Sequence, residues 1–252
     1  MVLRHEGEND NQLKTRIKNV GKIVESVMPE VDIPELTNKR GNIRKTVHQY
    51  NKIFEGNFGQ IREHVVFEAT WLGNFEPFTI EFINCYIADM MKERGQIELV
   101  KEYNLEAFSI PVLSKERTIC EKIMSLVRFS HQENPYKNLA DKIRHVYDIH
   151  MMLKNHNVLE FFKSVKFDER LFTVANDDLI SYKNNNAWLY IHPEEALIFK
   201  KPEETWENIK SPYRTTFKDL VTGELPGEKE LIATLIFIAQ RLLKIEWKIQ
   251  LT

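Results

Sequence analysis

The sequence predicts an α+β fold, with a small mixed β-sheet over residues 1–113 and a larger helical part over residues 114–252. Three observations carry the prediction. A stretch starting at Ile43 alternates in the period-two pattern of a strand, and His64 to Trp71 is strongly β-forming, with one acid, Glu68, in an otherwise apolar setting. After Ser114, apolar residues recur every three or four positions almost to the end of the chain. Nine glycines and nine prolines among 252 residues make up roughly 7%, against a usual ~12%. That is too few for a chain built from short strands and tight turns.

The elements follow in order. Met1 to Arg4 reads as the end of a strand. Asn9 and Asp10 offer a cap to an amphipathic helix whose apolar stripe is Leu13, Ile17, Val20, Val24 and Val27, and Met28-Pro29 ends it. Residues 36–52 carry Lys39, Arg40, Arg44, Lys45 and Lys52 and no acid. After a turn at Gly41 the pattern alternates from Ile43 through Val47 to Phe54. A Gly56/Gly59 turn leads to the strand His64 to Trp71, and a further strand spans Phe108 to Leu113. Between them a helix is predicted near Thr79 to Arg94. Ser114 then opens a helix through Ile119, Ile123, Leu126 and Val127. Further helices are predicted over Asn138–Leu153, Asp168–Tyr182, Glu203–Val221 and Glu228–Lys248, the last with an apolar face wide enough to be buried on several sides.

Composition excludes several function classes. Lysine plus arginine is 35 and aspartate plus glutamate is 37, a formal charge of −2. A globally basic nucleic-acid coat and an acidic disordered tail are both excluded. No G-x-G-x-x-G and no G-K-[ST] occurs, so dinucleotide-binding and P-loop readings fall. Two cysteines, Cys85 and Cys120, are too few for a disulfide scaffold or a zinc framework, and each reads as a buried free thiol. The longest apolar run, Leu231 to Ala239, is far short of the ~18 residues of a membrane span. The first thirty residues have no signal-peptide pattern. A cytoplasmic protein is expected.

Three places can carry chemistry. Glu68 is a carboxylate on a strongly β-forming strand, costly unless it faces a site, a metal or a base; the alternative is that it points to solvent. Lys122 lies beside the apolar face of the Ser114 helix and is placed to offer a cation to a phosphate, or else it snorkels beside Glu121. Arg144 and Asp148 stand four residues apart on a helix, able to pair with each other or to point together into a site. His145 and His150, five residues apart, fall on different helical faces and make a poor metal pair.

The order of these features is more specific than any one of them. Glu68 within VVFEATWLG at 65–73, then VLSKERTICEKI at 112–123, then KIRHVYDIHMML at 142–153, with TNKRGNIRKT at 37–46 in support, resembles the AbiEii/AbiGii toxin family of bacterial nucleotidyltransferases. The resemblance implies a polymerase-β-like nucleotidyltransferase fold followed by helices. It also implies transfer of a nucleotide from Mg²⁺-bound NTP to an acceptor, tRNA in some members. A role as the toxin of a toxin–antitoxin pair in phage defence, with a cognate antitoxin as partner, follows from the same resemblance. On that basis Glu68 matches the third strand acid of the metal site, Lys122 the lysine near the triphosphate, and Asp148 the aspartate of the final motif. Arg40, Arg44, Lys45 and Arg144 become candidates for phosphate or RNA contacts. Where many members have an Arg-Asp pair this chain has Arg144-His145, one acid fewer.

Two Mg²⁺ ions held by three acids would clamp the attacking and leaving oxygens of an in-line displacement. The family places the first two acids in a D-x-D on a strand after a glycine-rich turn, and neither the motif nor adjacent glycines occur here. Glu6-x-Glu8 and Glu30-x-Asp32 are the near-misses, both in sequence read as loop or helix flank. The expectation is a nucleotidyltransferase-like region that starts just after the D-x-D strand and is inactive as this chain. A sheet short of a strand would leave an open edge for a homodimer to cover. The competing expectation is a non-catalytic RNA- or partner-binding module using Lys39, Arg40, Arg44 and Lys45. A metal-dependent hydrolase would need a ligand cluster that the sequence does not supply.

Overall fold

The computed structural model describes residues 7–40, 43–53, 63–70, 74, 76–182, 184–221 and 223–249. The expected strand end at Met1–Arg4, the turns at Gly41 and Gly56/Gly59, and the strand-end residues Phe54 and Trp71 lie outside them. The α+β class holds. Helix α1 (Asp10–Val27) precedes β1 (Glu30–Val31), β2 (Ile43–Gln49) and β3 (His64–Thr70), which form an antiparallel sheet in the order β1-β2-β3. A second antiparallel pair, β4 (Phe78–Ile83) and β5 (Phe108–Leu113), encloses α2 (Tyr86–Glu93) and α3 (Ile97–Glu102). All described strand pairs are antiparallel, and they form two sheets rather than a single mixed one.

Helix α1 begins where the sequence places its cap. The Asn9 side chain accepts from the backbone N–H groups of Asn11 and Gln12, and the Gln12 side chain reaches back to the Asn9 N–H. That reciprocal box satisfies donors that a helix start otherwise leaves open. Leu13, Ile17 and Gly21 form its buried line. Gly21 is needed for space, because a Cβ there would meet Arg44 Nε at 2.1 Å. In β2, Thr46, Val47 and His48 are all buried, so both faces of the strand are covered. His48 is satisfied on both ring nitrogens, by Thr46 Oγ1 at 2.8 Å and the Met28 carbonyl at 2.9 Å.

The helical part contains α4 (Lys115–Ser130), α5 (Pro135–Ala140), α6 (Ile143–Leu153), α7 (His156–Lys163), α8 (Val165–Ser181), α9 (Leu197–Lys200), α10 (Pro202–Ile209) and α11 (Glu228–Leu242). One hydrophobic cluster runs through it from Ile119 to Ile245, with Trp206, Phe162, Leu171 and Leu235 fully buried. Among the described residues the strand-rich half contributes few buried apolar side chains, those of Leu13, Ile17, Val47, Ala88 and Val100. Burial of apolar area is the main stabilising term of a fold, so most of it lies in the helical part.

Several predicted boundaries move. The helix expected over Thr79–Arg94 starts only at Tyr86. Residues 78–83, Phe-Thr-Ile-Glu-Phe-Ile, are aromatic or β-branched at every position but Glu81 and pair with β5 instead. The span Asn138–Leu153 is two helices, divided at Asp141–Lys142. The span Glu203–Val221 is interrupted at Lys210: α10 ends at Ile209, and beyond it Pro212, which has no N–H to continue the ladder, sits in irregular helical turns that run through Tyr213–Phe217 and Lys218–Leu220. The last helix stops at Leu242, short of Lys248, and the segment beyond it is anchored by Trp247, whose indole N–H donates to the Leu189 carbonyl at 2.8 Å. Cys120 is buried as expected, but Cys85 is exposed at the start of α2, where its sulfur accepts from the Ala88 N–H.

Candidate functional site

The site is built on α4. Ser114 caps the helix, its hydroxyl accepting from the Arg117 N–H at 3.2 Å. With 3.6 residues per turn, one side of α4 carries Ile119, Ile123, Met124, Leu126 and Val127 into the core. The other side presents Thr118, Glu121, Lys122, Ser125 and Arg128, spaced three or four apart, as a polar stripe. That stripe, together with Arg117, forms the floor of a cleft of about 400 Å³. Ile43, Glu68 and Thr70 of the β2–β3 sheet, His145 of α6, and Val174, Asp178 and Tyr182 of α8 and its end complete the lining.

Arg117 holds the cleft together from beneath and is fully buried. Its Nε donates to Glu121 Oε1 at 2.8 Å, its Nη2 to Asp177 Oδ2 at 2.6 Å, and its Nη1 to the Glu76 carbonyl at 3.0 Å. One guanidinium therefore joins α4, α8 and the entry to β4. Burial pushes the Glu121 carboxyl above the usual range, and the adjacent Arg117 charge holds it back only in part.

Lys122 donates to Asp148 Oδ2 at 2.7 Å, a partly buried pair between α4 and α6. Asp148 therefore faces Lys122, while Arg144 is exposed on the neighbouring turn of α6. Glu68 lines the cleft from the sheet but stays 59% exposed, with Lys45 at 3.9 Å. The solvent-facing alternative for Glu68 thus describes its exposure, and the site alternative describes its position. His145 is held neutral: burial, then the charges of Lys122, Lys142, Arg144 and Arg128, pull its pKa down to about 3. Its Nδ1 is buried without a hydrogen-bond partner. Across the cleft, burial raises Asp178 to about 6.

The basic run at 39–45 does not form one free patch. Arg44 is only 14% exposed and lies against Gly21 of α1, with Glu30 at 3.8 Å. Lys39 also pairs with Glu30, and Lys45 faces Glu68. Arg40 is exposed and lines a separate surface depression with Lys39 and Lys45. Glu30, read from sequence as loop, sits on β1, where those two cations already compensate it.

Sequence reasoning missed Ser125, Arg128, Asp178 and Tyr182. Arg128 was within reach, since extending the stripe from Glu121 and Lys122 by three and then three more residues arrives at it. Its guanidinium stands 4.3 Å over the Tyr182 ring and 4.9 Å from the Phe129 ring, a favourable cation–π arrangement. Asp178 and Tyr182 belong to a helix that reads as amphipathic and carries no motif.

Metal chemistry of the family kind needs several acids at one point. No group of three or more histidine, cysteine, aspartate or glutamate residues suited to a metal ion occurs among the described residues. Glu68 alone does not make a two-metal site, and the described residues do not fit one. His150 contacts Thr234 through Nδ1 at 2.8 Å, away from His145 and the cleft. No helix among the described residues is long and apolar enough to cross a membrane.

A family model described as the nucleotidyl transferase AbiEii toxin of a type IV toxin–antitoxin system matches residues 2–226. Neither the curated proteins nor the solved structures contain a match to the chain.

Proposed function

Because the chain belongs to the nucleotidyl transferase AbiEii toxin family, we propose that the cleft over α4 is the nucleotide end of a nucleotidyltransferase-like protein. The observation that carries this reading is that Glu68 and Lys122, from opposite halves of the chain, line one cleft together with Arg128. Residues 1–113 are then the nucleotidyltransferase-like region and residues 114–252 its helical complement. The substrate is NTP with Mg²⁺, and the acceptor is RNA, tRNA in particular. Lys122 and Arg128 take the triphosphate, Glu68 is the strand acid directed at the metal, and Asp148 positions Lys122. Arg40, Lys45 and Arg144 are the candidates for contacts to the RNA backbone; Arg44, 14% exposed against α1 and beside Glu30, supports that surface from beneath. A cognate antitoxin and a second copy of the chain are its protein partners, in the cytoplasm of a bacterium.

Nucleotide binding without efficient transfer is the activity expected of these 252 residues. They contain no D-x-D, and a lone Glu68 is a weak metal ligand. The protein's own contribution is a cation pair in a walled cleft, where such charges act more strongly than in water.

The test has two readouts. Calorimetric titration with ATP, GTP, CTP and UTP at low salt should show binding of at least one, weakened severalfold by Lys122→Ala, the net of exchanging its Asp148 contact for one to phosphate. Incubation with Mg²⁺, labelled NTP and total RNA should leave the RNA unlabelled. Vigorous labelling would overturn the inactivity. No NTP binding by the folded wild-type chain, or binding unchanged by Lys122→Ala, would overturn the cleft assignment.

The second reading, a non-catalytic RNA- or partner-binding module, is favoured by the depression where Lys39, Arg40 and Lys45 meet. RNA binding that falls steeply with salt, is reduced by Arg40→Ala and is indifferent to Lys122→Ala would favour it.

A further inference from the structure

The strand-rich half leaves an unusual surface around the β4–β5 pair. Of the 21 large apolar side chains exposed among the described residues, ten fall between Phe78 and Phe108. All six residues of β4 are exposed. Among the described residues β4 pairs with β5 alone, so one edge carries unpaired N–H and C=O groups. An edge of this kind invites another strand, and proteins usually blunt it with lysine, proline or a bulge. β5 contains Pro111; β4, with the sequence Phe-Thr-Ile-Glu-Phe-Ile, contains neither lysine nor proline.

Alternation divides β4 into two faces. Phe78, Ile80 and Phe82 share one, 42%, 59% and 75% exposed, and stand opposite Leu113, Pro111 and Ser109 of β5. No charge interrupts these six positions. The other face carries Thr79, Glu81 and Ile83, with a hydrogen bond of 3.0 Å from the Thr79 hydroxyl to Glu81.

We propose that β4 pairs with β4 of a second copy of this chain, antiparallel about a two-fold axis through Ile80. The result is a continuous four-stranded sheet, β5-β4-β4-β5. A two-fold interface must be complementary to itself, and this register meets that demand. Ile80 meets Ile80 of the second copy, Phe78 meets Phe82, and Thr79 meets Glu81, so no like charges stand opposite each other. Centring on Glu81 would set two glutamates face to face. Shifting by half a step would bring Ile80 opposite Glu81 and mix the two faces.

Edge pairing joins the backbone groups of the two β4 strands and sets Phe78, Ile80 and Phe82 of one copy beside Phe82, Ile80 and Phe78 of the other on one face, so cross-strand aromatic and β-branched contacts add to the backbone hydrogen bonds.

The inference deepens the homodimer of the proposed reading, and the experiment keeps the two apart. Sedimentation of the full chain should show a dimer in the micromolar range. Ile80→Arg, at an exposed position that leaves the circular dichroism unchanged, should weaken it by about 30-fold or more. A register test uses the Cys85→Ser background, which keeps a capping side chain at α2. Ile80→Cys should there form an interchain disulfide on mild oxidation, since facing residues of an antiparallel pair have Cα atoms ~4.5–5.5 Å apart, within disulfide reach. Ile83→Cys should not. A dimer that survives Ile80→Arg would place self-association elsewhere and overturn the surface, not the homodimer. Cross-linking through Ile83→Cys instead of Ile80→Cys would overturn the register. A wild-type chain that stays monomeric would overturn the homodimer itself and leave the face to a different protein.

Discussion

Replacing Arg117 by methionine keeps most of the side-chain volume and removes the charge. It strands Glu121, Asp177 and the Glu76 carbonyl at once. Removing one member of a buried ion pair typically costs 3–5 kcal/mol, because the remaining charge stays buried and unpaired. Here the Glu121 side chain is 36% exposed and that of Asp177 20%, so partial hydration brings the cost to the lower end, about 3 kcal/mol. The loss must also depend on pH. Burial already raises the Glu121 carboxyl, and the Arg117 charge is what restrains the rise. Without that charge the folded-state pKa climbs further above the unfolded value, so folded Glu121 takes up a proton first as pH falls. The penalty is full above the raised pKa and shrinks as pH drops through it toward the unfolded value. Urea unfolding followed by the fluorescence of Trp188 and Trp206, both buried in the helical core, measures this near pH 8 and near pH 5. Glu121→Gln and Asp177→Asn added to Arg117→Met should recover part of the loss, since the deficit comes from orphaned charges. A cost below about 1 kcal/mol would place Arg117 among surface pairs and refute the reasoning, as would a cost equal at both pH values.

Two further outcomes follow from the cleft. Asp178, raised by burial from 3.8 to about 6, opposes folding when charged; Asp178→Asn should stabilise the protein by roughly 3 kcal/mol near pH 8, at about 1.4 kcal/mol for each pH unit of that rise. The gain should fade as pH drops through 6 and vanish below the unfolded value of 3.8, where the wild-type carboxyl is neutral in both states; a constant gain in urea titrations across that range would contradict it. His145, with its pKa pulled down to about 3, should keep neutral-imidazole ¹⁵N shifts from pH 8 to about pH 4. A titration midpoint near the ordinary histidine value of ~6.5 would mean that the burial and the surrounding cations do not act as described.

Much of this was legible in the sequence because it depends on local rules. The Asn9 cap, the stripe of α4 and the Glu68 strand rest on periodicity and capping chemistry that a few neighbouring residues determine. The lengths of α10 and α11 are harder to read, since an apolar pattern does not show where the regular ladder stops. Around Pro212 the first gives way to irregular helical turns, and Trp247 draws the chain after Leu242 into a separate anchor. The Thr79–Arg94 segment was read as helix because its register against β5 lies some thirty residues away in sequence. The same holds for the site. Lys122 and Asp148 were found singly, but their pairing is a tertiary fact, and the i,i+4 rule favoured Arg144 as the partner of Asp148. Tyr182 and Asp178 enter the cleft because α8 packs on α4, which no motif announces.

That tertiary arrangement changes which cation is available to an anion. Lys122, the residue the family pattern singles out, is already engaged by Asp148, so a phosphate reaching it must displace a carboxylate. Its net gain is the difference between two charged contacts. Arg117 is unavailable beneath two carboxylates. Arg128 is different: among the described residues its guanidinium is met by the rings of Tyr182 and Phe129 and by no ion pair. An aromatic face neither neutralises the cation nor uses all five of its donors, so a phosphate there competes with the Asp178 carboxyl, which feels the Arg128 charge but which burial pushes toward its neutral form, and not with a hydrogen-bonded ion pair. The cleft thus offers one loosely held cation and one exchangeable one along the same face of α4. An anion is drawn first to Arg128, and its reach to Lys122 depends on what Asp148 gives up.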